Sequence, residues 1–258
     1  MSKLYDHPEY YDVAFSWDVA AELDLYARLF AEHVPFPVKN ILEPACGPGR
    51  MLRALAARGY DATGYDANPN AVAFARQRIA KAGLGDLARA VLGDMRTARF
   101  DTTFDAAINP ITSIGYLLGD SDVLDHFAAT GASLRTGGIY IVQLSFAWDG
   151  LPKDEADGWT TERDGVRIET KWFIDRQDYE RKLSHQRCLM QIDDHGKKLT
   201  LEEEHTLRLW LFADWKDLIR RSGKFVLAAA CTDKGRAIPL DQPITGETGN
   251  LFHVLKSV

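Results

Sequence analysis

At 258 residues, with 46% hydrophobic and 26% charged side chains, the chain has the make-up of a globular protein large enough for one α/β domain or a domain with a modest insertion. A formal net charge of −6 and a pI near 5.7 leave no electrostatic footprint for a phosphate backbone, which disfavours a nucleic-acid substrate. No apolar run approaches the roughly 18 residues that span a bilayer, and Met1 to Asp6 lacks the order of a signal peptide, so no membrane partner and a cytoplasmic location are expected.

After an aromatic, acidic opening, Val19 to His33 carries Leu23, Tyr26, Ala27 and Phe30 at helical spacing, until Pro35 and Pro37 stop the helix. Residues 1–37 therefore read as a helical cap, whose Tyr5, Tyr10, Tyr11, Phe15 and Trp17 suit either a lid over a ligand or a segment docked on the core. From Val38 short strands alternate with helices, the pattern of βαβ units and a parallel sheet. The strands are Asn40 to Glu43, Ala62 to Asp66, Ala88 to Leu92, Thr103 to Asn109 and Ile139 to Leu144. Between them one helix carries Leu52, Leu55 and Ala56 and stops at Gly59. A second begins at the cap Asn68 with Pro69 in first position and ends at Gly83, and a third runs from Asp122 to Leu134 and ends at Gly137-Gly138.

Beyond Trp148 the period changes to two, and Arg167 to Trp172, Lys182 to Ile192 and Leu199 to Leu209 read as long strands, with a turn at Asp193-Asp194-His195-Gly196. Consecutive strands without helices between them pair antiparallel. Residues 148–209 are thus expected to form a small sheet inserted between a core at 38–147 and its completion at 210–258, where helix Trp215 to Arg221 stops at Gly223 and strands Phe225 to Ala230 and Leu251 to Leu255 follow.

The chemistry is concentrated at the strand ends. In Glu43-Pro44-Ala45-Cys46-Gly47-Pro48-Gly49, Gly47 and Gly49 lack Cβ atoms, so the backbone can turn sharply and approach a ligand across the strand tips. The third glycine of a dinucleotide fingerprint is replaced by Met51-Leu52, and the acidic Glu43 suits an ammonium group better than a pyrophosphate. Asp66 closes the second strand where an acid accepts hydrogen bonds from ribose hydroxyls. Gly93-Asp94-Met95 and Asn109-Pro110 add polar groups at the next two strand ends, while Cys46, with no adjacent base, reads as packing rather than a nucleophile. The three cysteines are scattered and no CxxC or HExxH pattern occurs, so neither disulfides nor a metal is expected.

This ordered set resembles the class I S-adenosylmethionine-dependent methyltransferases, with Glu43 to Gly49 similar to the family's first motif. The resemblance implies a Rossmann-like, doubly wound, mostly parallel sheet with a small inserted antiparallel sheet, and S-adenosylmethionine as the cofactor. It further implies that Glu43 and the loop Ala45, Cys46, Gly47 and Gly49 lie along the methionine part, and that Asp66, beside Ala67, holds the ribose. Asp94 and Met95 would border the adenine, and the backbone at Asn109 would face the methionine moiety and the acceptor. The inserted strands and aromatic N-terminus resemble the small-molecule branch, including sugar-amine and glycine N-methyltransferases.

Displacement at a sulfonium has a good leaving group, so holding acceptor and methyl in line in a dry site supplies much of the acceleration, and no catalytic triad is needed. Tyr11, Tyr116 and His205 are candidates for a base or acceptor-orienting group, with nothing in the spacing to choose among them. The run Glu202-Glu203-Glu204-His205 otherwise reads as a charged strand face in solvent. The expected function is methyl transfer to a nitrogen, oxygen or carbon of a small metabolite, the inserted sheet shaping the acceptor pocket or a homodimer contact. An NAD(P)-dependent oxidoreductase and a non-catalytic protein that binds the same nucleoside stay open as alternatives.

Overall fold

Numbered along the chain, β1 (Asn40–Pro44), β2 (Asp61–Asp66), β3 (Ala88–Leu92), β4 (Phe104–Asn109), β5 (Leu134–Leu144), β10 (Phe225–Thr232) and β11 (Leu251–Ser257) form one sheet in the order β10-β11-β5-β4-β1-β2-β3. The pairs β3–β2, β2–β1, β1–β4 and β4–β5 are parallel, and β11 runs antiparallel between β5 and β10. This computed structural model describes residues 4–146, 156–241 and 250–258, so the boundary expected at 147–148 lies outside the described residues.

Side chains of a strand point alternately to its two faces, so both faces of this sheet need cover. Ile41 faces α2 (Ala20–His33), α3 (Arg50–Ala57) and α4 (Pro69–Lys81), packing with Tyr26, Leu52 and Val72. Its neighbour Leu42 faces α5 (Asp120–Ser133) and α6 (Phe212–Ser222), with Phe127 and Trp215. Helix α4 starts as the sequence predicts, the Asn68 side chain accepting from the backbone of Asn70 and Ala71.

Gly137-Gly138 does not end a helix. The helix stops at Ser133 and β5 begins at Leu134. A Cβ on Gly138 would lie 2.6 Å from the Asp105 carbonyl oxygen, and the β4–β5 register slips between Phe104 and Ala106, so the glycine serves a bulge inside the strand.

The second sheet is fully antiparallel in the order β6 (Ala156–Arg163), β7 (Val166–Asp178), β8 (Leu183–Asp194), β9 (Lys197–Arg208). Strand β6 escapes the periodicity because Trp159 is the one large apolar side chain in Ala-Asp-Gly-Trp-Thr-Thr-Glu-Arg. Both two-residue hairpins, Asp164-Gly165 and His195-Gly196, have positive φ at both positions, the geometry that matches strand twist.

One face of this sheet packs Ile168, Cys188, Met190 and Leu201 against Leu4, Val13 and Phe15 from the N-terminal segment, which includes α1 (Pro8–Ala14). Trp159 donates to the Ala14 carbonyl at 2.7 Å and Tyr10 to Asp194 at 3.0 Å. Buried Asp12 pins the segment from inside, at 2.7 Å from Arg53 on α3, 3.6 Å from Arg78 on α4 and 2.6 Å from Arg163 on β6. The segment is thus wedged between the second sheet and helices α3 and α4. Among the described residues no helix is long and apolar enough to cross a membrane.

Candidate active site

The turn after β1 alternates left-handed residues, with φ of 55° at Ala45, 52° at Gly47 and 74° at Gly49. A Cβ at Gly47 would meet nothing within 4 Å, so this position is open to a ligand, whereas at Gly49 it would press Ala75 of α4 at 3.1 Å. A third glycine, not singled out from the sequence, matters as much: a Cβ on Gly64 of β2 would sit 2.6 Å from Cys46 Cβ, so only glycine lets the loop lie on β2.

Asp66 holds this loop, its two oxygens accepting the backbone N–H of Gly47 and of Asn68, each at 2.8 Å. Burial raises its pKa despite those donors. Above it lies a cavity of about 440 Å³, within the range of small-molecule sites. Ala45, Gly47, Asp66, Ala67, Asp94 and Met95 line it, as do Tyr5, Tyr11 and Tyr116.

Of the predicted residues, Glu43, Cys46, Gly49 and Asn109 do not line it. Buried Asn109 donates to the Pro44 carbonyl at 3.0 Å and accepts from Ile114 N–H at 2.9 Å, fastening the end of β1 to the loop after β4. Asp94 reaches the cavity, but Arg96 grips both its oxygens, at 2.9 and 2.6 Å, and holds its pKa down to about 2. The Met95 carbonyl is held in turn by His126 Nδ1 at 3.0 Å, while His126 Nε2 meets the Tyr140 hydroxyl at 2.8 Å. Burial lowers His126 to about 4, so it is neutral and donates to Met95 from Nδ1. No motif foreshadows this histidine, which sits unremarked within α5.

Glu43 and Arg50 test whether an amino-acid moiety fits beside the loop. Glu43 Oε2 and both terminal nitrogens of Arg50 are buried without a hydrogen-bond partner among the described residues. Burial pushes Glu43 well above the carboxylate range, and Arg50 opposes that rise. An unpaired acceptor, and cationic donors whose charge acts on it, suit the ammonium and carboxylate of a methionine moiety, though neither residue lines the cavity itself. Arg50 was not foreseen, although a basic residue directly after the glycine turn is a legible signal.

A second, larger cavity of about 710 Å³ lies towards the inserted sheet and shares Tyr5, Tyr11, Ser113 and Tyr116 with the first. On this shared wall the Tyr5 and Tyr116 hydroxyls are 2.5 Å apart, and Tyr116 is 3.0 Å from His205 Nδ1. Two of the three catalytic candidates are therefore linked, and Tyr11 packs 5.6 Å from the Tyr5 ring. His205 lines neither cavity but stacks on Trp172 at 4.9 Å. The solvent-facing reading of its strand holds for Glu202 and Glu204 and fails for His205, which alternation turns to the buried face. Burial raises both tyrosines and lowers His205 to about 4. Beside them Ile111 and Thr112 both have positive φ, costly for β-branched side chains, with Ile111 N–H held by Gln143 at 2.7 Å.

Residues 41–138 match the family model described as "Methyltransferase domain". The dTDP-3-amino-3,4,6-trideoxy-alpha-D-glucopyranose N,N-dimethyltransferase of Streptomyces venezuelae is 29% identical over 170 residues, 63% of this chain and 67% of that one. The crystal structure of Streptomyces venezuelae DesVI superposes with a TM-score of 0.77 at 20% identity, covering 98% of this chain and 97% of that one. The S-adenosylmethionine-bound structure of CalS10, an amino pentose methyltransferase from Micromonospora echinaspora, gives 0.72 at 19% identity over 100% and 98%.

Proposed function

We propose that the chain is a class I S-adenosylmethionine-dependent methyltransferase that methylates a small metabolite, with an amine on a sugar-like ring as the first acceptor to try. The observation that carries this reading is the pair of cavities meeting at one tyrosine wall, a smaller one over the glycine turn and Asp66 and a larger one against the inserted sheet. The amino sugar in the name of the Streptomyces relative supplies the acceptor class. A net charge of −6 speaks against nucleic acid, and free, buried Cys46, Cys188 and Cys231 fit a reducing, cytoplasmic compartment.

In this reading Asp66 takes the ribose hydroxyls on its remaining lone pairs, and Ala67 and Met95 flank the adenine. Asp94 serves the exocyclic amine only through an oxygen already shared with Arg96. Glu43 and Arg50 take the ammonium and carboxylate, and Asn109 acts through the loop it fastens. When bound, S-adenosylmethionine supplies an electrophilic methyl on a sulfonium. The protein's part is to present the acceptor in line from the second cavity and exclude water where the two cavities meet, a junction bordered by Tyr5 and Tyr11 of the docked N-terminal segment. Tyr5, Tyr116 and His205 stay uncharged near neutral pH, so the two tyrosines orient an amine that arrives unprotonated rather than remove its proton as a strong base, and His205 acts by holding Tyr116.

The test is mass spectrometry of ligand carried by the purified protein, followed by incubation with methyl-labelled cofactor and a panel of amino sugars, amino acids and phenols. Label in an amino sugar is the expected result. Cofactor bound tightly with no label in any acceptor would overturn the enzymatic reading.

A further inference from the structure

Arg208, at the end of β9, is the one cation among the described residues lining the second cavity, and its side chain is 2% exposed. Its Nη2 donates to Asp120 at 2.6 Å and its Nη1 to the Leu118 carbonyl at 3.3 Å, while Nε has no partner among the described residues. The other oxygen of Asp120 accepts from Arg221 at 2.7 Å. Arg221 also reaches Asp217 at 3.4 Å, which pairs with Arg220 at 2.6 Å, so along this chain of contacts three guanidinium groups share two carboxylates.

Two residues on, Trp210 lies 4.9 Å from the Arg208 guanidinium, 2% exposed, and lines the same cavity. Its indole N–H is also without a partner among the described residues. Neither side chain can accept a hydrogen bond, so together they offer two buried donors and a surplus of charge. Buried donors of native proteins are paired as a rule, and a neutral water would satisfy the hydrogen bonds without offsetting the charge. Glu22, the one anion among the lining residues, is 2.6 Å from the Tyr26 hydroxyl, which donates to it.

We propose that Arg208 Nε and Trp210 Nε1 form an oxyanion subsite in the acceptor cavity, taking a carboxylate or phosphate carried by the molecule to be methylated. The assignment rests on the second cavity being the acceptor side of a methyltransferase. Trp159, Trp172, Gln177 and Gln186 are among the other lining residues, an aromatic and amide set that suits a hydroxylated ring bearing that group.

Tryptophan fluorescence of the full chain, with and without S-adenosylhomocysteine, would be titrated with glucuronate against glucuronamide and with glucose 6-phosphate against glucose. The charged member of at least one pair should bind about tenfold tighter, as a hydrogen bond to a charged group implies. Whichever anion is preferred identifies carboxylate or phosphate as the source. Trp210→Phe, which keeps the ring and removes one donor, should cost the anion about fivefold or more and leave its neutral counterpart unchanged. Arg208→Lys should act the same way, with urea unfolding as the check that the fold survives. Equal binding of charged and neutral members, no binding by either pair, or a folded Trp210→Phe protein that keeps the preference would each overturn the subsite. Failure to bind S-adenosylhomocysteine would instead strike the methyltransferase reading.

Discussion

Replacing Asp66 with Asn tests the central grip of the proposed cofactor site. The carboxylate accepts the Gly47 and Asn68 backbone N–H groups at 2.8 Å each, with its other lone pairs facing the cavity. An amide of the same shape can accept on one side only and turns an NH2 towards a donor on the other. A hydrogen bond to a charged group contributes about 1.5–3 kcal/mol, so adenosine affinity should fall roughly 10- to 150-fold. Part of that loss would come from a loosened loop, and a double-mutant cycle removes it. Calorimetric titration of wild type and Asp66→Asn with adenosine, 2′-deoxyadenosine and 3′-deoxyadenosine gives the coupling between the carboxylate and each hydroxyl. Coupling of about 1 kcal/mol or more, a fivefold effect, is expected for at least one hydroxyl. If the deoxy compounds lose the same factor in both proteins, Asp66 shapes the loop and does not touch the ribose.

Arg50→Met should weaken S-adenosylhomocysteine by about 1.5–3 kcal/mol while leaving adenosine, which lacks the amino-acid part, unaffected; calorimetry showing equal losses for both would exclude a carboxylate role. Asp12→Asn leaves three arginines around an uncharged group and should lower stability by about 3–5 kcal/mol, read from the urea midpoint, with a loss below about 1 kcal/mol counting against the buried pin. Acid should also destabilise the fold through three buried histidines. Burial lowers His126 and His205 to about 4 and His253 to about 3, whereas an unfolded histidine titrates near 6.5. The unfolded chain thus binds more protons below about pH 6.5, and stability present above that value falls away as the pH drops towards 4, by about 2 kcal/mol per histidine at pH 5. Glu43, raised by burial, works in the opposite direction. Urea curves of equal midpoint at about pH 7.5 and 5 would refute the three neutral, buried rings.

The parallel core was legible because its cues are local. Short strand runs at β1, β2 and β4 alternating with helices, the Asn68-Pro69 start of α4 and the Gly223 stop of α6 each act within a few residues. The same holds for the left-handed turn at Gly47 and Gly49 and for an acid at the tip of β2, which put part of the candidate site on the page before any coordinates. What could be misread locally was misread: Gly138 answers to the Asp105 carbonyl on another strand, and β6 gets its place from pairing with β7 rather than from its own pattern.

Partnerships across long stretches of chain were decided by tertiary structure. Tyr10 meets Asp194 at a separation of 184 positions and Arg163 meets Asp12 at 151, and such contacts turn an aromatic opening into the wall between two cavities. Arg50, His126 and Arg208 owe their roles to burial beside Glu43, the Met95 carbonyl and Trp210, and no spacing rule announces a neighbour that packing supplies. Backbone preference and side-chain period are properties of a few consecutive residues, while the solvation and pairing of a polar group depend on whatever the folded chain brings against it.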